Sequence, residues 1–231
     1  GTSEFYRMRA RITGELILRA GFGAVAIEGD WPDAARVDRF VRHRPPQPAG
    51  WRPFSRFPTW MWRNQEVDEF VCWLRELNRE RPDDDRVAFF GLDLYSMYTS
   101  MYEVLRYLDA VDPELARIAR ERYGCLTPWQ ADPAAYGRAA LLQPYGQCER
   151  AVVEMLRELE EHRIELLERD QEGFVDAVKN AKLVADAERY YRSMYYGARE
   201  SWNLRDQHMF DVLEAVEQHR GVKIVVWAHN S

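Results

Sequence analysis

Three short apolar runs in this chain each end next to ionisable side chains, and they constrain the fold more than any other feature. The runs cover residues 24–27, 87–90 and 224–227. None of them alternates strictly between apolar and polar residues, which is typical of strands buried on both faces of a parallel sheet. Ligands bind beyond the carboxyl ends of the strands in such open sheets. We therefore expect the polar residues that follow the runs to gather at one edge: Glu28, Asp30, Asp93 and His229.

Helical patterns precede and separate the first two runs. A helix is predicted from near Thr2 to Gly21, another begins near Pro32, and a longer one covers about Thr59 to Asn78. The proline-rich residues 44–50 between the last two predict a loop. This alternation predicts an α/β fold, a three-layer α/β/α arrangement with a small parallel sheet.

The middle of the chain has a different character. From about residue 97 to residue 220 only helical pattern is found, and the stretches 149–170 and 174–196 are typical of an antiparallel α-hairpin. A last helix, about Asn203 to His219, leads to the third strand. We therefore predict one truncated catalytic-type domain that consists of an α/β core and a helical insertion. The predicted core covers residues 1–96 and 203–231, and the predicted insertion covers residues 97–202.

The composition argues against several classes of partner. The 231 residues carry a net charge of −6, with no basic block that would bind nucleic acid and no apolar run long enough to cross a membrane. No secretory signal is present. The three cysteines, Cys72, Cys125 and Cys148, form no metal-ligand spacing and no evident disulfide framework. A reducing compartment, and hence the cytoplasm, is the simpler interpretation.

Glu28 and His229 are the strongest candidates for acid or base chemistry. A partly desolvated carboxylate at the end of a strand can exchange protons, although Glu28 can equally cap the next helix or pair with an arginine. His229 follows the most hydrophobic run, and an imidazole titrates near neutral pH. Its alternative role is that of a satisfied core histidine.

Other candidates have more even alternatives. Asp30 precedes Trp31 and Pro32, where an aspartate caps a helix, and Asp93 can face a ligand or make a structural hydrogen bond. Trp202, Arg205 and His208 share one helical face and can line a pocket. The alternative for this stretch is a solvated helix start with local ion pairs.

Two motifs are absent from the sequence. There is no glycine-rich phosphate loop and no Gly-x-Ser-x-Gly nucleophile elbow. No pair of histidines, cysteines or carboxylates has a strong metal spacing. We therefore expect neither a cofactor nor a metal, and acid–base chemistry on water or ligand binding remains.

Several motifs together resemble the erythromycin esterase family along the whole chain. They are the opening Gly-Thr-Ser-Glu-Phe-Tyr, the turn Ala26-Ile27-Glu28-Gly29-Asp30-Trp31, Phe57-Pro58-Thr59-Trp60-Met61-Trp62-Arg63-Asn64, Gly91-Leu92-Asp93, Tyr190-Tyr191-Arg192, the block from Ser201 to Met209 and the closing Trp227-Ala228-His229-Asn230-Ser231. The resemblance implies a metal-independent hydrolase in which a histidine base activates water to attack an ester or macrolide lactone. Antibiotic resistance is the setting that it suggests.

The resemblance also implies roles for particular residues. Glu28 matches an active-site glutamate, His229 matches the first histidine of a closing His-x-x-His pattern, and Arg9 matches an arginine that points into the site. These three are the predicted catalytic residues. The predicted substrate-binding residues are Asp30, Trp31, Asp93, Trp202, Arg205 and His208.

The family's base lies in a Gly-Glu-x-x-His segment immediately before the position of Gly1, and its second closing histidine lies beyond Ser231. We therefore expect a small-molecule ester or lactone substrate for the whole protein and little activity from this polypeptide alone. The sequence does not indicate an oligomeric state. The alternative is a non-catalytic ligand-binding or polysaccharide-biosynthesis-associated domain that retains the cleft.

Overall fold

The computed structural model describes residues 2–44, 54, 59–142, 146–195 and 197–229. Within these ranges the chain forms three strands and ten α-helices, and it divides into two compact units. The first unit consists of Gly1–Asp93 and Met209–Ser231, and the second unit is Leu94–His208. The predicted loop at residues 44–50 lies, apart from Arg44, outside the described residues.

The first unit is built on a parallel sheet with strand order β2-β1-β3. Strand β1 covers Phe22–Asp30, β2 covers Ala88–Asp93 and β3 covers Lys223–Trp227. The side chains of Val25 and Ala26 point to opposite faces of the central strand, and both are fully buried. The prediction of an α/β fold with a small parallel sheet is confirmed.

Strand β1 is longer than its apolar run. Glu28 and Asp30 lie inside the strand, and Asp93 is the last residue of β2, so the prediction that these three follow their strands is wrong. The pairing with β2 runs from Ile27 opposite Gly91 to Asp30 opposite Asp93, which leaves one extra residue in β1. Such a β-bulge redirects a side chain and continues the strand.

Gly91 lies close to the main chain of β1 at Gly29 and Asp30. A Cβ atom at this position would be 2.5 Å from the carbonyl oxygen of Gly29 and 2.6 Å from that of Asp30. Main-chain atoms cannot move aside as the end of a flexible side chain can. A glycine is therefore required opposite the bulge.

Three helices pack on one face of the sheet. Helix α1 covers Ser3–Ala20, α2 covers Trp31–Val41 and α3 covers Gln65–Arg79. The predicted start of the third helix near Thr59 is wrong: residues 59–61 form a 3-10 turn, and Asn64 caps α3 by accepting from the Val67 N–H at 2.9 Å. The core includes Ile17, Val25, Ile27, Val37, Phe70, Leu74, Phe89 and Trp227.

Two polar side chains of the first unit, those of Asn78 and Asp38, bond to the main chain of β2 and its start. The Asn78 Nδ2 donates to the carbonyls of Val41 (3.0 Å) and Val87 (2.9 Å), and its Oδ1 accepts from the Val87 N–H at 2.8 Å. The Asp38 Oδ1 accepts from the Phe89 N–H at 2.8 Å. These contacts connect the ends of α2 and α3 to the start of β2.

The second unit is helical. Its helices are α4 (Met97–Val111), α5 (Pro113–Tyr123), α6 (Pro133–Leu142), α7 (Gly146–Glu161), α8 (Arg163–Arg169), α9 (Gln171–Ser193) and the first part of α10 (Ala198–Arg220). The predicted helical character of residues 97–220 is therefore confirmed. The prediction of one helix over residues 149–170 is wrong, because α7 and α8 are separate helices with His162 between them.

The cysteines differ from the expectation. Cys125 and Cys148 form a disulfide between the segment after α5 and helix α7, whereas Cys72 is free. The sequence prediction of no disulfide is therefore wrong, and the cause is that 23 residues separate two cysteines that carry no spacing signal. Of the helices in the described ranges, none has the length and apolarity that a membrane crossing requires.

Candidate functional site

The end of β3 carries a peptide bond that is held on both sides. This bond joins Ala228 and His229, directly after Trp227. The Arg9 Nη2 donates to the Ala228 carbonyl at 3.0 Å, and the His229 N–H donates to the Glu28 Oε2 at 2.7 Å. The structure thus brings together the three predicted catalytic residues, although they come from α1, β1 and the segment after β3.

Three aromatic rings surround the Arg9 guanidinium. Its Cζ lies 5.5 Å from the centroid of Tyr6, 5.7 Å from that of Trp62 and 5.6 Å from that of Trp227. Tyr6 and Arg9 are three residues apart on α1 and therefore share a face of the helix. Cation–π attraction of this kind favours a fixed guanidinium near the sheet edge.

Glu28 is fixed through its own main chain. The Trp62 Nε1 donates to the Glu28 carbonyl oxygen at 2.6 Å. Glu28 also lies within the three-residue step between Ile27 and Asp30 that contains the bulge of β1. The bulge and the hydrogen bond from the Trp62 indole together fix the main chain of Glu28, from which the carboxylate side chain extends.

The His229 imidazole packs between two tryptophans. Its ring makes edge contacts with Trp60 (5.2 Å between centroids) and Trp62 (6.4 Å). Nδ1 and Nε2 are both buried, and neither has a hydrogen-bond partner within the described part of the chain. Trp60 and Trp62 lie in the motif of residues 57–64, which contributes to the family resemblance. The sequence alone did not predict that they contact a site residue.

The surroundings of His229 favour its neutral form. Burial lowers the pKa of His229 below the ordinary value of 6.5, and the positive charge of Arg9 lowers it further, while the Glu28 carboxylate acts in the opposite direction. A neutral imidazole has one nitrogen that donates and one that accepts a proton. At neutral pH this ring is therefore able to act as a base.

Asp30, Trp31 and Asp93 lie at the same sheet edge. Asp30 and Asp93 are buried register partners on β1 and β2. Asp30 occupies the N-cap position of α2, but its side chain makes no capping hydrogen bond, so the capping interpretation is wrong. Trp31 stacks on Phe90 with 5.8 Å between ring centroids. A role of these residues in substrate binding stays a prediction.

The second unit holds the remaining candidates. His208 is buried and its Nδ1 lies 2.6 Å from the Asp186 Oδ2, which also accepts from the Lys182 Nζ at 2.9 Å. The buried Arg205 guanidinium lies over the rings of Tyr95 (5.2 Å) and Trp202 (5.6 Å).

The solvated-helix interpretation of this stretch is wrong for Arg205 and His208, because both are buried, whereas Trp202 is 57% exposed. Sequence reasoning did not find Asp186, which lies 22 residues before its partner His208. Burial raises the pKa of Asp186, but the hydrogen bond from His208 and the charge of Lys182 outweigh it, and the net pKa lies below the ordinary value of 3.8.

No group of three histidine, cysteine, aspartate or glutamate side chains is placed to hold a metal ion anywhere in the described ranges. The surroundings of His229 have the residue types that acid–base chemistry uses. The site combines a neutral imidazole, a carboxylate and a guanidinium.

Three solved structures are similar to this chain. A succinoglycan biosynthesis protein matches with a TM-score of 0.79 and 19% identity over 99% of this chain and 54% of its own. A Bacillus cereus protein gives 0.76 and 19% over 97% and 53%. The erythromycin esterase EreC, a mutant in its open conformation, gives 0.67 and 17% over 98% and 57%.

At these identities the structural likeness shows the fold alone, and this chain spans about half the length of the matched structures. The sequence match is more specific. The family model described as erythromycin esterase matches residues 17–231, which include β1, β2, β3 and the peptide at His229. The chain belongs to the erythromycin esterase family.

Proposed function

We propose that this protein hydrolyses a carboxylic ester or lactone with water, at the site formed by Arg9, Glu28 and His229. The observation that carries the proposal is the imidazole of His229, whose two ring nitrogens are buried and unpartnered within the described residues. Family membership supports a hydrolase, and a macrolide lactone is the substrate class that the family description suggests.

Ester hydrolysis has three requirements. A base must take a proton from water, a donor must stabilise the tetrahedral oxyanion, and an acid must protonate the leaving alkoxide. In this proposal His229 exchanges the proton at one of its ring nitrogens. The Arg9 Nη1 is buried without a hydrogen-bond partner among the described residues, and it serves as the oxyanion donor.

Glu28 contributes its negative charge beside these groups. The carboxylate favours the protonated imidazole that forms when His229 takes a proton, because it acts to raise the pKa of that ring. The histidine base of the resembled family, before Gly1, would share this work in a longer protein. Family resemblance also implies that the reaction needs no metal.

A hydrolysis assay tests the proposal. Macrolides, simple lactones and aryl esters are offered to this chain and to a longer natural protein that contains it. The expected result is turnover by the longer protein, and a loss of about a hundredfold or more in kcat/KM for His229→Asn. His219→Asn is the matched control, because His219 is exposed on α10 and lies in the same unit.

Two results would contradict the proposal. One is the absence of turnover of every ester and lactone by the longer protein. The other is an equal rate for His229→Asn and His219→Asn, because His229 would then take no part in the chemistry.

A second candidate function is ligand binding in polysaccharide biosynthesis. The observation that favours it is the likeness to a succinoglycan biosynthesis protein over nearly the whole chain. It predicts that an oligosaccharide binds in calorimetry and is released unchanged. Turnover of esters without oligosaccharide binding would reject this candidate.

We also propose that the protein is located in the cytoplasm. The disulfide between Cys125 and Cys148 argues in the other direction, because disulfides persist mainly in oxidising compartments. Thiol counting after extraction under alkylating conditions tests it. Three free thiols support a reducing compartment, and one free thiol contradicts it.

A further inference from the structure

We propose that Arg9 and Glu28 are positioning residues for His229, which act by holding the two sides of its peptide bond. This inference rests on the proposed function, since it gives the two side chains a further part in the same site. Arg9 holds the Ala228 carbonyl and Glu28 holds the His229 N–H. Both groups belong to one planar peptide unit.

The geometry of a trans peptide explains why two anchors are needed. Its carbonyl and N–H groups point in opposite directions across a rigid plane. A single hydrogen bond would leave the plane free to turn about the axis of that bond. Anchors on both sides restrict the plane further, and with it the position of the His229 Cα, which lies in that plane.

Both anchors are charged, and both are themselves fixed. Hydrogen bonds that involve an ionised group are shorter and stronger than neutral ones. The guanidinium of Arg9 lies among the rings of Tyr6, Trp62 and Trp227, and Glu28 lies at the bulge of β1. The peptide is therefore held by side chains with little freedom of their own.

Trp62 connects the three members of the arrangement. Its indole N–H donates to the Glu28 carbonyl, and its ring contacts both the guanidinium of Arg9 and the imidazole of His229. One side chain thus touches both anchors and the residue that they position.

The contacts of Glu28 distinguish positioning from the usual carboxylate–imidazole pair. Its Oε2 accepts from the His229 main-chain N–H, and the two ring nitrogens have no partner in the described residues. The carboxylate therefore orients the main chain of His229 and leaves its ring nitrogens to other partners. The tryptophans at 60 and 62 restrict the ring by packing.

Amide hydrogen exchange at His229 tests this inference without any substrate. Glu28→Gln retains an oxygen that can accept from the His229 N–H, whereas Glu28→Ala removes the acceptor. We expect the His229 amide to exchange about tenfold to a hundredfold faster in Glu28→Ala, because a hydrogen bond to a charged group is lost. In Glu28→Gln most of the protection remains. The amides of Val25 and Ile27 report in both variants that β1 is intact.

A second pair of variants tests the opposite anchor. Arg9→Lys retains a cationic donor near the Ala228 carbonyl, and Arg9→Met removes it. We expect the carbonyl carbon resonance of Ala228 to shift in Arg9→Met and the pKa of His229 to rise, because a nearby positive charge is lost. Arg9→Lys should restore both readouts in large part.

The inference is overturned if Glu28→Ala leaves the exchange of the His229 amide unchanged while β1 remains protected. It is also overturned if Glu28→Gln and Glu28→Ala accelerate exchange equally, because the charge and not the acceptor would then be responsible. Failure of the proposed hydrolysis is a separate result, since these measurements need no turnover.

Discussion

Several polar side chains of the two units have different kinds of hydrogen-bond partner. In the first unit, Asn78, Arg9 and Glu28 bond to main-chain groups at the ends of strands and helices. In the second unit, side chains pair with one another: His208 pairs with Asp186. Tyr136 donates to Glu188 at 2.5 Å, and Arg192 donates to the same carboxylate at 3.0 Å.

This difference explains why the two histidines, His208 and His229, differ in the availability of their ring nitrogens. The Nδ1 of His208 is engaged by a carboxylate, whereas both ring nitrogens of His229 lack a partner in the described ranges. Arg9 and Glu28 bond to the peptide group of His229 and not to its ring, so the ring nitrogens can accept or donate a proton. A carboxylate that holds the imidazole itself fixes its orientation and tautomer.

The largest expected effect comes from Gly91→Ala, which tests the main-chain arrangement of the first unit. The new methyl would lie within 2.7 Å of main-chain atoms of Gly29 and Asp30, so β1 or β2 must move. We expect a loss of about 3 kcal/mol in the free energy of unfolding. Urea denaturation of the purified chain measures it.

The matched control is Gly14→Ala in α1. There the added Cβ meets only the Trp73 ring at 3.5 Å, an ordinary contact, and alanine favours a helix. We expect this variant to be as stable as the unmodified chain or slightly more stable. Equal losses in the two variants would contradict the close approach at the bulge.

A smaller effect is expected from Asp186→Ala, which breaks the side-chain pairing of the second unit. The buried His208 would lose the acceptor for its Nδ1, and we expect a loss of about 2 kcal/mol in the free energy of unfolding. Lys182→Met is the control, since Lys182 is more exposed than His208 and bonds to the same carboxylate. Equal losses in both variants would show that His208 does not depend on the pair.

The smallest effect is a pH dependence that differs between the two histidine environments. His229 has a pKa below 6.5, so the unfolded chain takes up the proton first and the folded state loses stability as the pH falls below 6.5. Asp186 has a pKa below 3.8, so its contribution is complete above 3.8 and is lost as the pH falls through the folded-state pKa. Each contribution should be less than about 1 kcal/mol, because both groups are partly open to solvent.

Stability curves for His229→Gln and Asp186→Asn separate the two windows. The first variant should flatten the dependence just below pH 6.5, and the second should flatten it below 3.8. A variant that flattens the other window, or neither, would contradict the assignment.

Secondary structure was predicted from the sequence more accurately than the contacts between residues were. Apolar runs without alternation indicate buried strands; two of the three runs lie within strands of the sheet, and the run 87–90 begins one residue before β2. The bulge at Glu28 was not predicted, because a bulge depends on the partner strand; Gly29 and Gly91 are its only local signals. The predicted helix α1 is confirmed, yet two of its large apolar residues, Phe5 and Met8, are exposed.

The candidate site was predicted in part. The strand-end rule and the family motifs identified Glu28 and His229, because both depend on local sequence. The two hydrogen bonds to the peptide that Arg9 and Glu28 hold were not predicted, because Arg9 is 219 residues from Ala228 and Glu28 is 201 residues from His229 in sequence. The Asp186 partner of His208 was missed for the same reason: no periodic pattern marks a contact between two helices at that separation.

Arg9 and Glu28 hold the main chain of His229, while burial favours the neutral imidazole, whose ring nitrogens have no hydrogen-bond partner among the described residues. Titration of the His229 ring by nuclear magnetic resonance, assigned with His229→Gln, tests whether the ring is neutral and unpaired. We predict a midpoint below 6.5. A midpoint at or above 6.5 would mean that a carboxylate holds the ring, and it would contradict the account.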